Sequence, residues 1–230
     1  MKTVGFQCRD GCGNLSAEAT DTIPIPTFDD VACANTLWPY VEALVREGIA
    51  SGCSAAPPLY CPAAEVTRAQ MAKFLCLAAG KTPLDSAVPT FADVPKSYWA
   101  YGYIERLADP ASWPGGTPPT NGCRAVGSTR YYCPFDSVTR EQMAKFLCLA
   151  TSHAAMPSCS GTFADVPPGN PFCPFIERLA DPGSWGGTPV TSGCACPPGY
   201  PGGARCYCPK ENCTRAQMAK FLVLAFGIPL

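Results

Sequence analysis

Three arginine residues carry the clearest chemical signal in the sequence. Each follows a threonine and opens an apolar stretch, which predicts that a helix begins there. A cation at a helix N-terminus is unfavourable by roughly 0.3–1 kcal/mol, and this favours an anion that compensates it. The planar guanidinium fork suits a carboxylate, and free backbone N–H groups at a helix start also hold anions. The three residues are Arg68, Arg140 and Arg215.

Aspartate supplies a second group of candidate site residues. One aspartate precedes a valine in each of three short motifs that begin with phenylalanine, and these residues are Asp30, Asp93 and Asp165. One interpretation pairs each aspartate with an arginine, so that the pair fixes one repeat against another. A second is that the aspartate caps a turn. A third places both residue types in a ligand groove, and the sequence leaves all three open.

Two tryptophans and three lysines complete the set. Trp38 and Trp99 lie at the starts of predicted helices with apolar neighbours. They are interpreted first as core anchors, and alternatively as stacking surfaces for a sugar. Lys73, Lys145 and Lys220 lie off the apolar stripe of their helices, which predicts a solvated face.

The helices that carry the arginines are predicted by two local patterns. Threonine followed three residues later by glutamine is the signature of a capping box. Behind it, Met71, Phe74, Leu75 and Ala78 recur at helical spacing and define one apolar face. A helix of about a dozen residues cannot bury such a face alone, so the three copies imply packed partners. The copies span residues 67–77, 139–149 and 214–224.

These copies belong to a longer unit that occurs three times. The unit begins with a Phe-x-Asp-Val motif, continues into a first short helix, and then has a loop between a Gly-Cys pair and a Tyr-Cys-Pro triplet. The chain is therefore divided by its repeats and linkers. We assign residues 1–26 to an extended N-terminal segment, 27–80 to the first repeat, 81–151 to a linker and the second repeat, and 152–230 to a linker and the third repeat.

This order of motifs resembles the S-layer homology (SLH) repeat over residues 27–226. The Phe-x-Asp-Val motif, Trp-Ala-x-x-x-Ile-x-x-Leu and Thr-Arg-Ala-Gln carry the resemblance. It implies an all-α fold of three helix–loop–helix repeats around a pseudo-threefold axis. It also implies grooves between the repeats that hold a cell-wall polysaccharide, often pyruvylated. In such grooves the three arginines would grip an acidic group, and the aspartates and tryptophans named above would line the walls.

The sequence departs from the SLH pattern in three respects. Glutamine replaces the usual acidic residue after Thr-Arg-Ala, the third repeat has Pro171 where the second has Trp99, and cysteine is unusually dense. The glutamines are Gln70, Gln142 and Gln217.

Sixteen cysteines predict a disulfide framework and an oxidising compartment. One pair occupies matching places in each of the three loops, and the third loop holds a second pair just inside the first. Closing such loops stabilises the fold by roughly 2–3 kcal/mol each. A four-thiolate zinc site is the competing interpretation of the third loop. The predicted pairs are Cys53–Cys61, Cys123–Cys133, Cys194–Cys208 and Cys196–Cys206.

The remaining cysteines are assigned less directly. Cys33 and Cys76 are the favoured partners for a bond that ties helices together. Cys8 and Cys12 are expected to join the N-terminal segment to the body of the protein or to a neighbouring molecule.

Bulk composition excludes several classes of function. A formal net charge of −1 provides no field for nucleic acid or an acidic membrane surface. The sequence contains no run of about 18 apolar residues, so no membrane-spanning helix is predicted. No leader is visible after Met1, so we expect export with the leader outside this sequence. No nucleophile, phosphate-loop or metalloprotease motif occurs, and the single histidine, His153, lies in a Ser/Ala linker as an expected bystander.

Two functions follow as expectations. The first is a non-catalytic module of the cell surface that binds an envelope polysaccharide, with no cofactor and no metal. The alternative is a subunit of an extracellular fibre, sheath or surface layer that assembles through residues 1–26. A catalytic partner on a longer native chain is a third, weaker option.

Overall fold

Six α-helices lie in the part of the chain that the structure describes. The structure is a computed structural model, and it describes residues 2–6, 19–23 and 26–230. Each repeat contributes a first helix and a longer second helix. The helices are α1 Trp38–Arg46, α2 Arg68–Ala78, α3 Tyr101–Ala108, α4 Arg140–Ala150, α5 Cys173–Ala180 and α6 Arg215–Phe226.

Three two-stranded antiparallel hairpins accompany the helices among the described residues. They are β1 Lys2–Phe6 with β2 Ala19–Ile23, β3 Ser54–Ala55 with β4 Pro58–Leu59, and β5 Arg124–Val126 with β6 Thr129–Tyr131. With 33% of the protein helical and 9% in strands, the prediction of an all-α fold is wrong. Strands β1 and β2 lie in the N-terminal segment, and the other four lie in loops between helices; in both places the backbone groups are satisfied by antiparallel pairing.

The capping boxes predicted for the second helices are confirmed. The Thr67 hydroxyl accepts from the Gln70 amide at 3.3 Å, and the Gln70 side chain accepts from the Thr67 amide at 3.1 Å. The same reciprocal pair begins α4 and α6. Glutamine therefore keeps the cap that an acidic residue would make. The predicted apolar stripe is largely buried, with Met71 and Leu75 inaccessible to solvent.

The helices pack in a closed cycle that joins the three repeats. The first helix of one repeat lies against the second helix of the preceding repeat, so α3 packs on α2 and α5 packs on α4. The cycle closes where α1 packs on α6. Each first helix buries apolar residues in this contact, because no helix of this length can bury its stripe alone.

Backbone hydrogen bonds close the same cycle at its centre. The Val66 amide donates to the Cys213 carbonyl at 2.9 Å, the Cys213 amide to the Val138 carbonyl at 2.8 Å, and the Val138 amide to the Val66 carbonyl at 2.9 Å. These residues precede the three second helices. Their mutual bonds fix the three helix starts relative to one another.

Five disulfides are present among the described residues, and they include the four that the spacing predicts. The fifth joins Cys159 and Cys173. The zinc interpretation of the third loop is wrong, because its four cysteines form two disulfides. The pairing of Cys33 with Cys76 is also wrong, since Cys76 is a buried thiol. The predictions for Cys8 and Cys12 lie outside the described residues.

This disulfide content indicates an oxidising environment such as the extracellular space. Within the described ranges, every helix is too short or too polar to cross a bilayer.

Candidate ligand clefts between the repeats

Each of the three arginines lies between two aromatic rings at a junction of repeats. The Arg68 guanidinium lies 4.8 Å from the centre of the Tyr132 ring and 5.7 Å from that of Phe146. Its Nε donates to the Tyr132 carbonyl at 2.7 Å. Tyr132 and Phe146 belong to the second repeat, so the contact joins two repeats. The equivalent sets are Arg140 with Tyr207 and Phe221, and Arg215 with Tyr60 and Phe74.

The tyrosine returns a hydrogen bond to the arginine backbone. The Tyr132 hydroxyl donates to the Arg68 carbonyl at 2.8 Å, and Tyr207 does the same to Arg140 at 2.8 Å. Burial raises the pKa of both hydroxyls, and it raises the pKa of Tyr60 to about 12. The tyrosines are thus held as neutral donors in the core.

The backbone N–H groups at the three helix starts already have partners. The Arg68 amide donates to the Asp136 carbonyl at 2.9 Å and the Ala69 amide to the Pro134 carbonyl at 3.0 Å. The other two helices repeat this pattern with carbonyls of the next repeat. The sequence-based expectation of free N–H groups beside each arginine is therefore wrong. The N–H groups at the helix starts donate to carbonyls of the next repeat and so join the three repeats to one another.

The three aspartates do not pair with the arginines. Asp30 accepts from the Tyr60 amide at 2.8 Å and from the Cys61 amide at 2.7 Å. Cys61 has a left-handed backbone with φ of 58°, which turns two successive N–H groups toward one carboxylate. Asp93 and Asp165 bind the corresponding amides in their own repeats. The predicted pairing of arginine with aspartate is therefore wrong. Each aspartate does bind backbone amides, as a turn cap would, but these amides belong to a loop about 30 to 43 residues further along the chain.

Three equivalent clefts open beside the arginines, and we name them the Arg68, Arg140 and Arg215 clefts. Their volumes are about 270, 320 and 410 Å³ respectively. Each is lined by its arginine, by the Gly-Cys pair of the next repeat, and by Gln, Lys and Phe of the next second helix. These helix residues are Gln142, Lys145 and Phe146; Gln217, Lys220 and Phe221; and Gln70, Lys73 and Phe74.

A third repeat contributes to each cleft near the start of its first helix. Phe172 lines the Arg68 cleft, Leu37 the Arg140 cleft and Trp99 the Arg215 cleft. Every cleft is therefore built from three parts of the chain that are distant in sequence.

Two of the clefts contain a buried cationic donor without a protein partner. Arg68 and Arg140 are 4% and 3% exposed, and the Nη2 atom of each has no hydrogen-bond partner among the described residues. In Arg215 the same atom donates to the Ser51 carbonyl at 2.7 Å. A buried donor left unsatisfied costs about 1–3 kcal/mol, and more when it is charged.

The clefts also differ in charge. The Arg140 cleft combines Arg140 with Lys220, and its described lining includes no acidic side chain. Asp136 lines the Arg68 cleft and Glu65 lines the Arg215 cleft. The prediction that the three lysines form a purely solvated face is wrong, because they are half-buried walls of the clefts.

The two tryptophans have different roles. Trp38 is partly buried against the core, and its Nε1 donates to Glu42 at 3.0 Å. Trp99 is 56% exposed, so it is no core anchor. His153 is not a solvated bystander either, because its ring stacks on Trp185 with centres 3.9 Å apart.

Sequence reasoning missed the lysines and the Gly-Cys pairs as cleft residues. Their signal was present, since each lysine recurs five residues after its arginine. The lysine position lies outside the apolar face of the second helix, so the sequence predicts that it is exposed. Whether another repeat packs next to it depends on the tertiary structure.

No protein-family model matches the chain, and no curated protein matches it.

Proposed function

We propose that this protein is a non-catalytic, exported module of the SLH type that binds an acidic polysaccharide of the cell envelope. The observation that carries the proposal is the buried, unpartnered Nη2 atom of Arg68 and of Arg140 beside an open cleft. Guanidinium donors form their strongest hydrogen bonds with carboxylates. An acidic substituent on a sugar supplies such an acceptor.

The distribution of the clefts supports a polymer as the ligand. Three related clefts recur around one ring of repeats, and two of their arginines have an Nη2 atom with no partner among the described residues. A polysaccharide with repeated acidic units can occupy more than one of them, so that each bound unit raises the effective concentration of the next. The Arg140 cleft is the expected primary site because it has two cationic side chains and no acidic one in its described lining.

Replacing Lys220 with alanine tests the proposal without disturbing the buried arginines. We expect binding of an oligosaccharide that carries uronate or pyruvyl carboxylates to weaken roughly fivefold, since a partly buried charge pair is lost. Lys96→Ala is the matched control, because Lys96 lies outside the linings of the three clefts. Isothermal titration calorimetry of the two variants and the unmodified protein measures the difference.

Two results would contradict the proposal. One is that the unmodified protein binds no acidic oligosaccharide, and the other is that Lys220→Ala and Lys96→Ala weaken binding equally. Arg140→Lys adds a check on geometry, since it keeps the charge and removes the planar fork. Thermal unfolding of each variant separates lost binding from lost folding.

A structural subunit is the second candidate, and the N-terminal hairpin favours it. Strands β1 and β2 form a sheet of two strands among the described residues, with Gly5 opposite Thr20. The outer edge of such a hairpin presents backbone groups that can pair with another chain. A second copy of this protein could extend the sheet and build a filament.

Analytical ultracentrifugation over a concentration series, followed by electron microscopy, tests this candidate. We expect concentration-dependent association in the unmodified protein. A Val4→Pro variant, which removes a strand N–H, should associate less. Monomers at every concentration would reject the fibre function and leave the glycan proposal untouched.

A further inference from the structure

The Arg215 cleft differs from its two counterparts in its guanidinium group. Arg215 donates from Nε to the Tyr60 carbonyl at 2.8 Å and from Nη2 to the Ser51 carbonyl at 2.7 Å. The Nη2 atom of Arg215 therefore already has an acceptor from the protein, which the corresponding atoms of Arg68 and Arg140 lack among the described residues.

A fixed negative charge also lies in the Arg215 cleft. Glu65 accepts from the Ser137 hydroxyl at 2.7 Å and from the Asn212 side-chain amide at 2.9 Å. These hydrogen bonds, that of Ser137 first, lower the pKa of Glu65 below its usual range, so the carboxylate is ionised at neutral pH. Glu65 repels an anionic ligand and offers acceptors to hydroxyl groups.

Trp99 gives this cleft an exposed indole wall, whereas the corresponding part of the Arg68 cleft has the half-buried Phe172 and that of the Arg140 cleft has the aliphatic Leu37. It is the residue before the N-cap of α3, and its side chain is exposed while lining the cleft. The residues at the same place in the other repeats are Thr36 and Pro171, which have no aromatic ring. Exposed aromatic surface in a concave site is the usual sign of a ligand with an apolar face.

Neighbouring aromatic rings hold Trp99 in place. Tyr98 lies against it with ring centres 5.8 Å apart, and the Tyr98 ring in turn makes an edge contact with Phe135, with ring centres 5.7 Å apart. Edge and tilted contacts of this kind favour one orientation of the indole. The stacking face is thus preorganised, which lowers the entropy cost of binding.

We propose that the Arg215 cleft is a subsite for a neutral pyranose ring, stacked on Trp99 and hydrogen-bonded by Glu65, Gln70 and Lys73. The aliphatic C–H face of a pyranose packs on an indole, and its hydroxyl groups need donors and acceptors at the rim. The cleft volume of about 410 Å³ lies within the range of small-molecule sites. This inference rests on the proposed function, because it assigns the neutral and the acidic sugars of one polysaccharide to different clefts.

Two probe sets and two variants test the division of labour. The probes are a panel of neutral hexose and N-acetylhexosamine oligosaccharides, and oligosaccharides with uronate or pyruvyl groups. Trp99→Ala removes the stacking face. Tyr200→Ala is the control, because Tyr200 is an exposed aromatic residue outside the linings of the three clefts. Calorimetry and tryptophan fluorescence of the full chain provide the readouts.

We expect Trp99→Ala to weaken binding of the neutral probes roughly tenfold and to change binding of the acidic probes by less than about twofold. Neutral probes should change the tryptophan emission of the unmodified protein and of Tyr200→Ala. Lys220→Ala should show the opposite selectivity and lose affinity for the acidic probes alone.

The outcomes separate this inference from the proposed function. Binding of acidic but of no neutral probe overturns the neutral subsite and leaves the proposed function standing. Equal losses for both probe sets in Trp99→Ala also overturn it, since the clefts would then share one ligand. Failure of every probe to bind the unmodified protein overturns the proposed function itself.

Discussion

Replacing Asp30 with alanine is expected to lower the free energy of unfolding by about 2–4 kcal/mol, since two backbone amides lose a charged acceptor. The Asp30 carboxylate receives the Tyr60 and Cys61 amides, which lie 30 and 31 residues along the chain. It fixes the loop whose tyrosine supports Arg215. Chemical denaturation measured by circular dichroism gives the change.

The adjacent residue provides a matched control. Asp29 carries the same charge but is exposed, so Asp29→Ala should change stability by less than about 0.5 kcal/mol. Asp30→Asn retains one acceptor oxygen in place of two ionised ones and should lie between the two variants. Equal stability of Asp30→Ala and Asp29→Ala would show that the carboxylate does not clamp the loop.

Alkaline pH is expected to unfold the protein through its three core tyrosines. Burial raises the pKa of Tyr60 to about 12 and raises the pKa of Tyr132 and Tyr207 as well. An exposed tyrosine in the unfolded chain ionises near pH 10. Below that pH the stabilising contribution is complete, and it is lost as the pH rises through the folded pKa. Each tyrosine steepens this fall by up to about 1.4 kcal/mol per pH unit.

Tyr132→Phe isolates one of the three contributions. It removes one ionising group together with the hydrogen bond to the Arg68 carbonyl. The variant should be less stable at neutral pH by about 1 kcal/mol, and its stability should fall less steeply above pH 10. Tyr200→Phe, at an exposed position, should leave both values unchanged. The same alkaline slope in Tyr132→Phe as in the unmodified protein would contradict this account.

Local features of the chain could be predicted because their causes lie within a few residues. The capping box of Thr67 and Gln70 depends on groups three residues apart, and the helix that follows forms as expected. The loop disulfides also follow from spacing, since Cys53 and Cys61 are eight residues apart and flank a tight return. The loops closed by these disulfides also form short antiparallel strand pairs, and the helical periodicity of the sequence did not predict these strands.

The role of the arginines could not be predicted in the same way. Arg68 meets Tyr132 across 64 residues, and whether its guanidinium is paired, buried or open depends on that meeting. The expectation of a free helix terminus follows from neighbours in sequence, and the expectation of an Arg–Asp pair follows from charge alone, which does not specify which groups meet between repeats. The structure places backbone carbonyls and aromatic rings there instead.

The two tryptophans are a second case in which the sequence could not predict the position of a side chain. Trp38 and Trp99 stand before similar helices in the sequence, yet Trp38 is the first residue of α1 and Trp99 lies two residues before α3 begins. That offset of two positions along the helix start leaves Trp38 packed against the core and Trp99 exposed over a cleft. A helix boundary is the least certain part of any sequence-based assignment.

The sequence by itself determines the repeats, the capped helices, the loop disulfides and the recurrence of Arg, Gln and Lys, because each of these features depends on spacing within one repeat. The clefts are not, because each needs side chains from three repeats that meet when the ring closes. Closure also makes the clefts unequal, since the Ser51 carbonyl accepts from Nη2 of Arg215, while the same atoms of Arg68 and Arg140 have no partner in the described part of the chain. The difference arises from contacts between distant segments, and no single repeat contains it.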